Sequence, residues 1–163
     1  MKRFMKGIEP DVMRKDSYTS HDKLQEGGPM KREIIHTDKV YSSPNPLSQA
    51  VKFGNLVFVS GFLAKEPMGK AVEGGMREQT KQVIENLKNT LEAAGSSLDE
   101  VLKITVFITD KTKFKEMNEV YRSYFPRDPP ARICVEAGMT SDDCLVEMDC
   151  IAAIQGKRKR KHV

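Results

Sequence analysis

Apolar positions along this chain follow two rhythms, a period of two and a spacing of three and four. Glu33–Thr37 has the make-up of a short strand. Ala50–Phe53 and Leu56–Ser60 flank Gly54-Asn55, a dipeptide suited to a two-residue hairpin. Met76, Thr80, Val83, Ile84, Leu87, Leu91 and Ala94 lie on one helical face, and Gly95 is the stop signal. Leu102–Thr109 is β-branched and predicts a strand. Thr112 is placed to N-cap a second helix that turns Phe114, Met117, Val120, Tyr121 and Tyr124 inward and closes at Pro126. Pro130–Glu136 and Leu145–Ile154 predict the last two strands, and the proline-rich Tyr41–Pro46 and the segment Pro67–Gly75 predict loops.

The predicted order is strand, hairpin, helix, strand, helix, strand, strand. Hairpins are antiparallel while strand–helix–strand passages need crossovers, so the sheet is expected to be mixed, an α+β domain. Each helix has a single apolar face, which puts both on one side of the sheet and leaves the other side uncovered. In the penultimate strand Arg132, Cys134 and Glu136 share a side, with Ile133 and Val135 opposite. In the last strand Val146, Met148, Cys150, Ala152 and Ile154 form an apolar row, with Glu147 and Asp149 opposite. If these two strands pair, Arg132, Cys134, Glu147 and Asp149 occupy the uncovered face together with Leu145, Ile151 and Phe107. A cation beside a carboxylate outlines a site for a small organic acid. A half-apolar exposed sheet face also predicts a homo-oligomer with polar clefts between subunits.

Composition narrows this picture. The 163 residues suit one domain, and 39% hydrophobic with 31% charged residues is an ordinary globular balance. No apolar run approaches the roughly 18 residues of a membrane span, and the N-terminal stretch lacks the ~7–15-residue apolar block of a secretory signal. The three cysteines have neither disulfide-framework nor zinc spacing, so a reducing, cytoplasmic setting without a metal is expected. Cys134 and Cys150 read as packing side chains and Cys144 as an exposed loop residue; His36 has no partner motif. The net charge of +4 is accounted for by the block Lys157-Arg158-Lys159-Arg160-Lys161. Residues 156–163 therefore read as a solvated basic tail, and 31–155 as the domain. Residues 1–30 read as a polar extension ending in Gly27-Gly28-Pro29. Gln25-Glu26-Gly27-Gly28 can be encoded by a purine run like a bacterial ribosome-binding site, which makes Met30 a second candidate start; an intact mass matching Met1 would reject it.

From about Lys31 to Ile154 the chain resembles the RidA/YjgF reactive-intermediate deaminases, also called the L-PSP endoribonuclease family. The likeness is carried by Ser48-Gln49-Ala50-Val51, Gly54-Asn55-Leu56-Val57-Phe58-Val59-Ser60-Gly61, Glu73-Gly74-Gly75, Gln79-Thr80, Asn86-Leu87 and Leu91-Glu92-Ala93-Ala94-Gly95-Ser96-Ser97-Leu98. It continues through Val106-Phe107, Asn118-Glu119-Val120-Tyr121, Pro130-Ala131-Arg132 and Val146-Glu147.

The resemblance implies a chorismate-mutase-like fold and a homotrimer whose sheets form a central barrel, with three clefts between subunits. It implies hydrolysis of small 2-enamine or 2-imine acids to 2-keto acids and ammonia, without cofactor or metal. On that reading Arg132 clamps the substrate carboxylate, and Glu147 orients or deprotonates the attacking water. The carbonyl of Cys134 helps hold that water, and Asn118 and Ser48 support the cleft. Two positions depart from the family pattern. Leu47 stands where many members have the tyrosine of Gly-Pro-Tyr, and Phe62 where many have glutamine. Both point to a more apolar cleft, hence a bulkier substrate, slower turnover, or a metabolite-binding protein without turnover. A ribonuclease or translation inhibitor is the other alternative. It would need a basic, aromatic-bearing surface, and the obvious basic block is confined to the tail, so nucleic acid is not the favoured partner.

Overall fold

Gly54 adopts φ 60°, which lets the chain reverse in two residues between β2 (Ala50–Phe53) and β3 (Leu56–Leu63). The computed structural model describes residues 31–154; the expected N-terminal extension, the Met30 start and the basic tail lie outside the described residues. The other elements are β1 (Glu33–Ile35), α1 (Met76–Ala93), β4 (Val101–Ile108), α2 (Phe114–Tyr124), β5 (Ala131–Glu136) and β6 (Val146–Ala153). The six strands form one sheet in the order β1-β2-β3-β6-β4-β5, antiparallel except for the β4–β5 pair. Helix α2 makes the crossover that this parallel pair requires.

Strand β1 stops at Ile35, short of the expected Thr37, because Gln49 takes over the pairing. Its buried amide accepts from the Thr37 N–H at 2.7 Å and donates to the Thr37 carbonyl at 3.1 Å. Strand β3 runs past Ser60 through a bulge. Val59 faces Cys150 and Phe62 faces Met148, so Ser60 and Gly61 together lie opposite the single residue Asp149.

The inward stripe of α1 is as its spacing predicts, with Val83, Ile84, Leu87 and Leu91 buried against Val57, Val59, Ile104, Val106 and Met148. Gly75 precedes the helix, and the Glu78 carboxylate accepts from the Gly75 N–H at 2.9 Å. Gly95 (φ 80°) ends it, with the Ser96 amide donating to the Leu91 carbonyl at 2.8 Å. The second helix begins differently from expectation. Asp110, rather than Thr112, is the capping acceptor: its Oδ1 receives the Thr112 N–H at 2.8 Å and the Thr112 hydroxyl at 2.6 Å. That contact organises a 3₁₀ turn over Lys111–Lys113, and α2 follows at Phe114. Met117 and Tyr121 are buried, whereas Phe114 is exposed. The two helices lie side by side on one face. The Tyr124 hydroxyl donates to Glu85 at 2.6 Å, and Arg77 pairs with Glu119. The opposite face is uncovered and carries Ile34, Val51, Phe58 and Ile151, aligned across the strands, with Phe53 on the same face two residues beyond Val51.

The placement of Arg132 corrects the sequence expectation. Strands β5 and β6 are not neighbours; β4 lies between them. Ile104 is in register with both Arg132 and Cys150, so Arg132 and Cys134 belong to the helix-covered face. Phe107 is in register with both Val135 and Glu147, so Glu147 belongs to the uncovered face. A strand order is a tertiary fact, and alternation within β5 and β6 cannot reveal which strand separates them.

Candidate active site

The chain carries the elements of a site in two separate places. The first is a cavity of about 420 Å³ at the Ser60–Gly61 bulge, bounded by Glu147 of β6, the Tyr41–Leu47 loop, Lys65 after β3, and Thr140 and Ser141 of the β5–β6 loop. Glu147 is half-buried and forms no ion pair among the described residues. Burial, reinforced by the like charge of Asp149, raises its carboxyl above the ordinary glutamate range. Gly61 makes this seat. A Cβ built there would collide with Oε1 of Glu147 and lie 3.1 Å from its Cδ. The bulge thus brings a strand backbone, without a side chain, against the carboxylate.

Two buried amides of α1 hold the segments that border this cavity. Gln79 is 3% exposed, donates to the Asp143 carbonyl at 2.9 Å and accepts from the Leu145 N–H at 2.7 Å. It fixes the loop that delivers Thr140 and Ser141. Asn86 donates to the carbonyls of Leu63 (3.2 Å) and Lys65 (2.9 Å), fixing the end of β3. The Gln79 clip also explains why Cys144 is 1% exposed, contrary to its expected exposure: the residue between the two pinned groups is turned inward.

The second place is the β5 edge beneath α2. The Arg132 guanidinium carbon lies 4.5 Å from the Tyr121 ring centroid and 5.7 Å from that of Phe114. Such stacking orients the planar group and leaves its in-plane donors free. Arg132 forms no ion pair among the described residues, and it shares a depression of about 260 Å³ with Asn118, Arg122 and Pro130. The Asn118 amide makes no hydrogen bond there among the described residues. The Ala137 N–H donates to the Ile108 carbonyl at 2.9 Å. Because alternate residues of a parallel ladder bond inward, Cys134 turns its own N–H and C=O to the free edge. Its carbonyl is thus available for a water. Its thiol is half-buried, packs on the core and is raised by burial, which leaves it a poor nucleophile. The Cys150 thiol is pushed up to about 12 by burial.

The remaining expected site residues divide. Leu47 lines the Glu147 cavity at its rim, 52% exposed. Phe62 borders the same cavity, but the bulge turns its ring into the core and leaves it 7% exposed, so it adds less apolar lining than expected. Ser48 contributes its carbonyl, which accepts the Ser60 hydroxyl at 2.6 Å, rather than its side chain. Tyr41 and Lys65 are cavity residues that sequence pattern did not single out. They meet across a loop and the end of a strand, and no local spacing marks such a pair. Within one chain Arg132 and Glu147 lie on opposite faces and two strand spacings apart, roughly 10 Å across the sheet.

The chain matches the family described as Endoribonuclease L-PSP over residues 38–154. A RutC family protein of Pyrococcus abyssi is 47% identical over 124 residues, covering 76% of this chain and 98% of that protein. Reactive Intermediate Deaminase A, chloroplastic, of Arabidopsis thaliana is 37% identical over 126 residues, covering 77% of this chain and 67% of that protein. Among solved structures, E. coli TdcF with bound serine superposes with a TM-score of 0.70 at 33% identity, over 74% of this chain and 98% of that one. The helix pair on a mixed six-stranded sheet and the sequence match lead to one conclusion: the chain belongs to the Endoribonuclease L-PSP family, the family of RidA.

Proposed function

We propose that this protein hydrolyses 2-enamine and 2-imine acids to 2-keto acids and ammonia. The site would form where the Arg132 edge of one copy meets the Glu147 cavity of the next, in a homotrimer whose uncovered sheet faces build a central barrel. The observation that carries this reading is a guanidinium without an ion pair among the described residues and a half-buried carboxyl raised by burial, held on opposite faces of one sheet, each in its own half-site. The apolar row Ile34, Val51, Phe58 and Ile151 supports burial of the uncovered face between copies. The name of the Arabidopsis relative supports the chemistry, and the serine bound to TdcF supports a small amino-acid-like ligand.

Arg132 binds the substrate carboxylate through two parallel N–H donors, which fixes the plane of the imino acid. The protonated imine carbon accepts a water held by the Cys134 carbonyl and by Glu147. As the C–O bond forms, the Glu147 carboxylate takes a proton from that water. The resulting carboxyl then protonates the amino nitrogen of the carbinolamine. The C–N bond breaks with its electron pair on nitrogen, the Glu147 carboxylate takes the hydroxyl proton to complete the keto acid, and the departing ammonia carries that proton away as ammonium. A carboxyl raised by burial suits the first transfer, since its greater proton affinity helps it take the proton from water. Leu47 at the rim and Asn118 beside Arg132 would contact the substrate.

The test is release of ammonia and keto acid from imines generated in situ by an amino-acid oxidase. Wild type should accelerate release and Arg132→Ala should not. Arg132→Ala and Glu147→Ala proteins, unfolded and refolded together, should recover activity, because random mixing in a trimer restores about one quarter of shared sites. No acceleration by wild type would overturn the deaminase reading and favour ligand binding without turnover; RNA cleavage with no imine hydrolysis would favour the endoribonuclease reading. No recovery on mixing would overturn the shared site.

A further inference from the structure

We propose that Lys65 makes the Glu147 cavity a receptor for a second carboxylate, so that the preferred substrates are 2-imino dicarboxylic acids. The inference rests on the deaminase reading and names the substrate class of that same site.

Lys65 is anchored through its backbone. Its backbone N–H donates to the Leu63 carbonyl at 2.8 Å, its carbonyl accepts from Asn86 at 2.9 Å, and it bridges to Ala71. Its ammonium lies 5.4 Å from the centroid of the Tyr41 ring. That ring is itself seated on Gly69, where a Cβ would come within 2.7 Å of it. Lysine, tyrosine and Glu147 all border one cavity. The ammonium forms no ion pair among the described residues. The carboxylate of Asp143 feels the Lys65 charge from outside the cavity, beyond ion-pair distance, and accepts the Ser141 hydroxyl at 2.6 Å.

The charged residues bordering the cavity are therefore one cation and one carboxylate, and Ser43, Asn45 and Thr140 are among its neutral lining residues. Glu147 complements an iminium nitrogen. Lys65 complements an anion carried on the same molecule. In the proposed shared site the carboxylate next to the imine belongs to Arg132 of the neighbouring copy, which leaves Lys65 for an anionic group at the end of the substrate side chain. A cavity of about 420 Å³ has room for such a group, where a three-carbon imino acid would leave much of it empty. Leu47 and Phe62 alone would suggest a bulky hydrophobic side chain. The inward turn of Phe62 and the presence of Lys65 reverse that expectation.

The experiment compares imines made in situ from aspartate and glutamate with imines made from alanine and leucine, in wild type, Lys65→Met and Lys65→Arg. Wild type should favour the dicarboxylic imines in kcat/KM by tenfold or more. Lys65→Met should lower the dicarboxylic-to-monocarboxylic ratio by about tenfold to a hundredfold, chiefly through KM, the range of one charge-assisted hydrogen bond. Lys65→Arg should restore most of the ratio. An unchanged ratio in Lys65→Met, or equal loss on both substrate classes, would overturn the proposal. If wild type hydrolyses no imine, the deaminase reading fails. Calorimetric binding of 2-oxoglutarate against 2-oxobutyrate then decides the Lys65 site by itself: selective loss of 2-oxoglutarate binding in Lys65→Met upholds it, and equal binding rejects it.

Discussion

The β5 edge and the bulge cavity treat charge in opposite ways. At the edge, Arg132 is half-buried beside the rings of Tyr121 and Phe114 and forms no ion pair among the described residues. In the cavity, Glu147 is half-buried over a bare backbone, beside Asp149, with no cation paired to it among the described residues. A group that only binds an anion needs a planar fork of donors in a fixed place, which a guanidinium beside two aromatic rings provides. A group that moves a proton has to change its charge, and partial burial beside a like charge moves its titration toward neutrality. On the proposed reading, binding and proton transfer are divided between the two half-sites, and each can be broken separately.

The largest expected effect is at the edge. Arg132→Ala should lower kcat/KM on imino acids by about a thousandfold, since it removes a bidentate ion pair that sets both affinity and alignment. Steady-state ammonia release measures it, and a loss under tenfold would move the carboxylate clamp elsewhere.

The next effect sharpens the role of the cavity. Gly61→Ala should leave the fold intact, because the obstructing atoms belong to the movable end of Glu147 rather than to backbone. The carboxylate must shift, so kcat should fall by about a hundredfold, the usual worth of a positioned acid–base group. Melting temperature and kcat measured on the same preparation check this. Full activity would mean that the position of the carboxylate over Gly61 is not the working one.

Gln79→Ala should act on stability first. It removes a buried donor and acceptor from two backbone groups, which should cost about 2–3 kcal/mol in denaturant unfolding. It should also loosen Thr140 and Ser141, raising KM more than it lowers kcat.

The smallest effect is a dependence on pH. The Glu147 carboxyl is raised in the folded chain, so the folded state binds more protons than the unfolded state between the ordinary glutamate value and the raised one. Wild-type stability should therefore decline as pH rises through that window. Glu147→Gln should lack the decline, matching wild type below the ordinary range and exceeding it near neutrality. Thermal melts of both proteins across acidic to neutral pH test the sign; a wild type that gains stability relative to the variant as pH rises would contradict the burial argument.

Much of this architecture is written locally. The stripe from Met76 to Ala94 defines α1, Gly54-Asn55 defines the hairpin, and the alternation of Val146 to Ala152 defines the inner face of β6. What the sequence leaves open are the long-range choices. Arg132 and Glu147 are expected on one face, and the insertion of β4 between their strands puts them on two. Phe62 is expected in the cleft, and a one-residue bulge rotates it inward. Cys144 is expected in solvent, and an amide 65 positions earlier, Gln79, draws it under the loop. Thr112 is expected to cap α2, and the stronger acceptor two positions before it does so for a short turn instead. Motif residues are legible because chemistry restricts their type. Their facing is not, because it depends on which strand pairs with which.

The bulge in β3 has a consequence for chain length. With one residue fewer, Val59, Ser60 and Phe62 would lie in plain alternation opposite Cys150, Asp149 and Met148, and every core contact beyond would keep its register. The extra residue is therefore surplus to folding. A one-codon deletion of Gly61 should yield a protein as abundant as wild type, with the floor of its carboxylate seat gone. In a lineage that no longer needs the reaction, nothing in the sheet would oppose the loss of that codon. Where the reaction is under selection, this codon should be among the least dispensable in the gene.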